Sequence, residues 1–347
     1  MRETMTAAVY RGNRSFVIEQ RAAKPPEPGE VAVGVAYCGI CGTDMHVFHG
    51  NMDVRVGHNR VIGHEMSGTV TALGEGVSQV AVGQKVSVRP LDSCGDCPAC
   101  DASHRHICHN LRFLGLDTDG AMQQIWNVPA HVLHILPDGL RMEHAALVEP
   151  VAVACHDVRR AALQAGEDVL VIGGGPIGIL CAMVARASGG RVLLSEVNPH
   201  RVEIARKLGF DVINPSEEDL SATVATRTEG KGADIVFEVS GTQAGVDDMT
   251  ACAAVRARIV MVAIHAQKPK IDLFQFFWRE LELLGARVYE EEDYEQAIAI
   301  LADGDIDVDA VITEIRPLSA IQTAFEDLDT SPTALKSLIK VGEQQCA

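Results

Sequence analysis

Residues 94 to 108 read CGDCPACDASHRHIC and hold four cysteines spaced C-x2-C-x2-C-x7-C. Two residues between thiolates let a tight turn aim both sulfurs at one ion, and Gly95 and Pro98 suit such turns. Four thiolates about 2.3 Å from a zinc ion form a closed tetrahedron with no open position. Cys94, Cys97, Cys100 and Cys108 are therefore expected to hold a structural zinc and to do no chemistry. His104, His106 and His109 lie nearby as nitrogen donors, but four cysteines already fill the shell. The competing reading, four unligated thiols in a loop, is disfavoured by the spacing.

A second set of donors is scattered. Residues 38 to 46 read CGICGTDMH, residues 61 to 66 VIGHEM, and residues 148 to 157 VEPVAVACHD. Together they offer Cys41, His64, Glu65 and Glu149. A catalytic zinc takes about three protein ligands and keeps one position for water or substrate. Thiolate, imidazole and carboxylate together suit that ion.

A third stretch, DVLVIGGGPIG at residues 168 to 178, places Gly173, Gly175 and Gly178 at G-x-G-x-x-G spacing. Pro176 and Ile177 fill the interval, and ILCAMVARA continues as an apolar helix. A lone G-x-G-x-x-G is weak, but a strand before it and a helix after it are the context a dinucleotide needs. The glycines permit a tight turn against a pyrophosphate, and the helix end supplies free N–H groups. The next apolar run, RVLLSEV, reaches Glu196, twenty-three residues after Gly173. An acidic residue at about that interval binds the ribose hydroxyls of NAD and repels the extra phosphate of NADP. Arg201, in the following turn, is the complication, since an arginine can meet that phosphate.

The elements that must carry these residues are legible as patterns. Before residue 150, short apolar runs such as EVAVGVAYCG, MSGTVTALG and QKVSVRP are separated by Gly and Pro turns, which suggests a β-rich, barrel-like domain. After it, strand and helix patterns alternate. HRVEIARKLG and QAGVDDMTACAAV read as helices; DVINP, ADIVFEVSG, RIVMVAIH and LELLGARVY read as strands. That is a βαβ series and hence a doubly wound parallel sheet, so the fold class is α/β. Ligands of such sheets bind at the strand ends, where Ser240, Gly241 and Ile264 fall. The acidic run EEED at residues 290–293 is expected to be a solvated loop at a hinge.

The chain has 347 residues, enough for two domains, and a formal net charge of −17, which disfavours nucleic acid and anionic membrane as partners. MRETMTAAVYRG lacks the apolar segment of a signal peptide, and no run of eighteen apolar residues exists. A cytoplasmic chain is expected. Its ten cysteines, at 38, 41, 94, 97, 100, 108, 155, 181, 252 and 346, then point to metal rather than disulfides.

The order of these motifs over almost the whole chain resembles the zinc-dependent medium-chain dehydrogenases, most nearly the sorbitol and threonine dehydrogenase-like branch. The resemblance implies a GroES-like catalytic domain over residues 1–153, a Rossmann domain over 154–289, and a return to the catalytic domain over 290–347. It implies an active site in the cleft between domains and two zinc ions per chain. It implies Cys41 in C-G-T-D and His64 as ligands of the catalytic zinc, with Glu65 or Glu149 third. Cys38 falls where relatives have a non-ligand and reads as a small buried residue. Asp44 looks like the carboxylate that orients a ligand histidine. Thr43 and His46 match the proton relay, while His49 and His58 read as loop residues. Ser240 and Ile264 resemble contacts to ribose and nicotinamide, and the family commonly has arginine at the place of Arg201 with NAD as cofactor.

The implied activity is NAD-linked, reversible oxidation of a secondary alcohol on a polyol, sugar or sugar acid, by a homodimer or homotetramer. Two other readings stand beside it: a zinc-stabilised binding protein without catalysis, and an NADPH-linked carbonyl reductase. The chain also departs from the sorbitol enzymes. Their Arg-Tyr pair is replaced by ARVY, with Arg287 and Tyr289 separated by Val288, and DGAMQQIW stands where many relatives have D-G-G-F-A-E-Y. Arg287 is placed either to bind a substrate carboxylate or to pair with the acidic run beside it.

Overall fold

Alternating apolar residues early in the chain become antiparallel strands with one face on a core. The computed structural model describes residues 4–330 and 333–342, so Cys346 lies outside the described residues. The chain divides into two compact units. The first takes Met1–Glu149, Ala297–Asp303 and Ile312–Ala347; the second takes Pro150–Gln296 and Gly304–Val311.

The first unit is built on a seven-stranded sheet. Its centre is the Glu30–Gly39 strand, which pairs antiparallel with Glu65–Leu73, with Ile125–Pro129 and with the C-terminal strand Lys336–Lys340. Val31, Val33, Val35, Val70, Val86 and Val88 form its buried face. The register places Gly39 opposite Glu65 on one side and Leu338 on the other. A residue near position 336 is thereby carried to the start of the Glu65 strand, some 270 residues away in sequence.

The second unit is a six-stranded parallel sheet. Its order is Asp211–Ile213, Arg191–Ser195, Asp168–Ile172, Ala233–Glu238, Ala253–Met261, Glu282–Gly285. Asp168–Ile172 is buried throughout, as a strand covered on both faces must be. The chain order reverses between Asp168–Ile172 and Ala233–Glu238, so a crevice opens at their carboxyl ends. Several boundaries differ from the expectation; the strand in LELLGARVY covers only Glu282–Gly285, so Arg287 and Tyr289 lie beyond it. The helix in QAGVDDMTACAAV stops at Cys252, because Ala253 turns extended and enters the next strand at once. That strand ends at Met261, leaving Val262–His265 as a loop.

The acidic run corrects a further expectation. Glu291 starts a helix that extends to Asp303, and Asp293 is wholly buried. Acidic side chains suit a helix N-terminus. The Asp293 carboxylate accepts from Arg159 Nε at 2.7 Å and lies 2.8 Å from His156 Nδ1, and Arg159 also pairs with Glu290 and Glu292. The partner of the acidic run is therefore Arg159 and not Arg287, which is exposed and makes no ion pair among the described residues.

Candidate functional site

The four clustered cysteines come together as their spacing requires. Cys97 is the N-cap of a short helix, Pro98–Asp101, and Gly95 takes a positive φ of 78° to bring the chain round. Sulfur separations are 3.5 Å for Cys97–Cys100, 3.8 Å for Cys97–Cys108 and 3.4 Å for Cys94–Cys108. A tetrahedron with bonds of about 2.3 Å has edges of about 3.8 Å, so the set fits a zinc ion. The backbone N–H groups of His109 and Asn110 point at Cys97 and Cys108 sulfurs at 3.4 and 3.3 Å. N–H groups of Cys100 and His109 lower the Cys97 thiol to about 6, which suits a thiolate ligand.

The second cluster forms within the first unit. Gly42–Phe48 is a helix whose N-cap is Cys41; the Cys41 N–H donates to Asp44 Oδ2 at 3.0 Å. His64 follows Gly63, whose φ of +98° turns the chain sharply before the Glu65 strand. The His64 ring stands edge-on to Phe113, with centroids 5.0 Å apart. Its Nε2 lies 3.3 Å from Cys41 Sγ, and its Nδ1 lies 3.8 Å from Asp44 Oδ1. Glu149, in the first turn of Val148–Arg160, completes the group. Donor atoms of Cys41, Asp44 and His64, and separately of His64, Glu65 and Glu149, all lie within 4.8 Å of one another. His64 Nδ1 and Asp44 Oδ1 are buried with no hydrogen-bond partner. Burial, with the negative charges of Asp44 and Glu65, pushes the Cys41 thiol well up. Sulfur, imidazole and carboxylate donors, buried and under-satisfied, are what a zinc ion with an open position requires.

Two residues of this cluster have no counterpart in the sequence reading. Lys336, 2% exposed, forms an ion pair with Glu65 and donates to the Ile40 carbonyl at 3.1 Å. Burial alone would lower its ammonium, but the charges of Glu65, Cys41 and Glu149 outweigh it and the pKa is raised. Gly39 makes room for this pair: a Cβ there would lie 2.1 Å from Glu65 Oε2 and 3.1 Å from Lys336 Cε. Nothing in KSLIK separates Lys336 from the exposed Lys340. Their places in the register do: Leu338 pairs with Gly39 and Lys340 with Tyr37, which carries Lys336 past the strand end to Glu65.

The other sequence candidates are placed as follows. Thr43 and His46 share one helix three residues apart, with His46 exposed and no hydrogen bond between them. Cys38 is fully buried. His49 follows that helix and pairs with Asp329, and His58 pairs with Asp53. A further donor group, His156 with Glu290 and Asp293, already holds the Arg159 guanidinium as its cation.

In the second unit the glycine turn closes on itself. Gly173 has a φ of +105°, and a Cβ on Gly178 would meet the Gly173 carbonyl at 1.8 Å. Gly175 is the N-cap of Pro176–Ala187, with Ile177 in the first turn and no side chain capping its N–H groups. Glu196 is buried; its carboxylate accepts the N–H groups of Gly174, Val197 and Asn198, each at 2.7 Å. Arg201 Nη1 stands 3.9 Å from Glu196. Ser240 and Gly241 follow the neighbouring strand, and Ile264 is 83% exposed on the loop after the next. Free helix N–H groups beside a turn that excludes Cβ atoms make a cradle for a pyrophosphate.

Comparison with known proteins decides the family. Residues 27–138 match the alcohol dehydrogenase GroES-like domain, and residues 176–303 match the zinc-binding dehydrogenase domain. A 2-dehydro-3-deoxy-L-galactonate 5-dehydrogenase of Pseudoalteromonas atlantica is 53% identical over 98% of this chain and 100% of its own. The chain belongs to the zinc-dependent medium-chain dehydrogenases. An L-galactonate-5-dehydrogenase of Escherichia coli is 31% identical over 97% of this chain and 99% of its own. Among solved structures, a zinc-binding dehydrogenase from Sinorhizobium meliloti bound to NADP superposes with a TM-score of 0.91 at 28% identity, covering 98% of this chain and 100% of that one. The protein is thus an alcohol or polyol dehydrogenase with a GroES-like and a Rossmann-type fold. No helix among the described residues is long and apolar enough to cross a membrane.

Proposed function

We propose that this dehydrogenase oxidises, reversibly, a secondary alcohol of a sugar acid to the ketone, with NAD as the hydride acceptor. The observation that carries the reading is the convergence on buried His64 of Cys41 from one side and of Glu65 and Glu149 from the other, which supports one zinc there beside a second on Cys94, Cys97, Cys100 and Cys108. The sugar-acid class rests on two relatives whose names are those of galactonate-type dehydrogenases. When bound, the ion supplies Lewis acidity toward the substrate oxygen, and the nicotinamide accepts a hydride.

The chain's own residues do the rest. Asp44 holds the Cys41 backbone through Oδ2 and faces His64 Nδ1 with Oδ1, so one carboxylate orients two donors. Lys336 offsets the charge of Glu65 and holds its carboxylate back, which leaves Glu65 and Glu149 to alternate as third ligand. Thr43 accepts the substrate proton and His46, exposed to water, releases it. Arg287, exposed and without an ion pair among the described residues, is assigned to the substrate carboxylate. The chain assembles as a homodimer or homotetramer, supported by the edge strand Glu282–Gly285 and by Phe274, Phe277 and Trp278, all exposed on the Leu273–Arg279 helix. It works in the cytoplasm, where its thiols stay reduced.

The tests are direct. Cys41→Ser should lower the zinc content from two per chain to one and abolish turnover; full activity with both zincs would sink the assignment. Arg287→Ala should weaken acidic substrates and spare neutral polyols; an equal loss on both would refute its role. A second reading, NADP in place of NAD, is favoured by the nearness of Arg201 to Glu196 and by the NADP-bound relative. Coenzyme titration decides: Glu196 as the ribose partner predicts NAD saturating at far lower concentration, and Glu196→Ala narrowing the gap.

A further inference from the structure

Glu238 ends the strand beside the glycine turn and is wholly buried. Its Oε1 accepts the N–H of Ser240 at 2.9 Å, the N–H of Gly241 at 3.1 Å and the Ser240 hydroxyl at 2.5 Å. Its backbone carbonyl accepts the N–H groups of Val262 and Ala263, at 3.0 and 3.1 Å, from the loop that leaves the next strand. Its Oε2 lies 3.0 Å from His265 Nε2. One residue thus ties together the Ser240–Gly241 turn and the loop of residues 262–272.

That loop has a second tether. The Gln243 amide donates to the Lys270 carbonyl at 2.9 Å and accepts the Lys270 N–H at 2.8 Å. Between the tethers the chain is open: Ile264 is 83% exposed, and Ala266, Gln267 and Lys268 are exposed as well. The turn it is tied to adjoins the glycine turn, since a Cβ on Gly173 would lie 3.0 Å from the Ser240 nitrogen. Ile264 is therefore held from both sides by Glu238, through the Val262 and Ala263 N–H groups before it and the His265 ring after it, and the same carboxylate holds the Ser240–Gly241 turn.

We propose that His265 is a positioning residue for the coenzyme: through Glu238 it fixes Ile264 and the Ser240–Gly241 turn at the nicotinamide end of the crevice. The proposal rests on the coenzyme reading given above. It needs neither zinc nor the substrate.

NADH affinity, followed by coenzyme fluorescence on the full chain, tests it with two variants. His265→Phe keeps the ring size and loses the donor; His265→Gln keeps a donor. His265→Phe should weaken NADH about tenfold, the low end of what a hydrogen bond to a charged group is worth, and His265→Gln should stay within about threefold of wild type. AMP, which occupies only the Glu196 end, should bind all three proteins alike. Amide exchange of residues 262–268 in the coenzyme-free protein should quicken in His265→Phe and not in His265→Gln. NADH binding to His265→Phe within twofold of wild type, an equal loss of AMP affinity, or failure of His265→Gln to rescue would each overturn the proposal. A wild-type protein that binds neither NADH nor NADPH would instead overturn the coenzyme reading on which it rests.

Discussion

Replacing Lys336 with methionine keeps the length of the side chain and removes its charge. The two partners are 2% and 1% exposed, so water cannot take over the pairing. Removing one member of a buried pair costs about 3–5 kcal/mol, because the other charge is left without a partner. A separate limit agrees. The stranded carboxylate can escape by taking up a proton, which costs an ordinary glutamate about 4 kcal/mol at pH 7 and about 1 kcal/mol at pH 5. Lys336→Met should therefore lose about 3–4 kcal/mol at pH 7, and the loss should shrink toward pH 5. The reporter is at hand: of the two tryptophans, Trp126 is buried in the first unit and Trp278 lies exposed in the second. Urea unfolding followed by Trp126 fluorescence in a Trp278→Phe background reads the first unit. Glu65→Gln in the same chain removes the stranded charge and should restore most of the loss, giving a coupling of at least about 2 kcal/mol in a double-mutant cycle. A Lys336→Met protein within about 0.5 kcal/mol of its parent at pH 7, or no rescue by Glu65→Gln, would refute the reasoning.

Gly39→Ala should act at the same place by crowding. Its Cβ would meet Glu65 Oε2 at 2.1 Å, so the carboxylate must move; elemental analysis should find the open-site zinc reduced with the cysteine-bound zinc intact. Cys97→Ser should do the reverse, losing the closed-site zinc and lowering the thermal midpoint. Asp157 supplies a pH test. Burial raises its pKa from 3.8 to about 8, against a thiol hydrogen bond from Cys181 at 3.4 Å. The folded chain therefore holds the proton more tightly than the unfolded one. The contribution of Asp157 to stability is fully present below about pH 4 and is lost as pH rises to about 8, by at most about 6 kcal/mol. Asp157→Asn should flatten that slope and be the more stable protein at pH 8; parallel stability curves for the two proteins would count against it.

Much of the chemistry was legible because it is encoded locally. Cysteines two residues apart, a glycine fingerprint between a strand and a helix, and an acidic residue at the end of the next strand depend on turns and periods spanning a few residues. The alternating patterns likewise pointed to an α/β fold. Reading failed where a residue's meaning depends on what faces it. EEED looks like solvent-facing charge, yet Asp293 is buried because Arg159, more than 130 residues away, neutralises it. Arg287 sits next to the acidic run in sequence, and the backbone leaves it unpaired.

From its sequence alone, this protein reads as a zinc-type oxidoreductase with a dinucleotide-binding half: donor types, their spacing and the dinucleotide turn are short-range properties of the chain. The tertiary structure decided which charges are buried together. Lys336 and Lys340 are indistinguishable in a five-residue strand, and Gly39 is one glycine among 31. Strand register alone sets Gly39 against Glu65 and carries Lys336 to the same carboxylate, and register between distant strands is fixed by the whole sheet's hydrophobic face rather than by local sequence. The same holds for His265, whose partner Glu238 becomes its neighbour only because parallel strands end side by side.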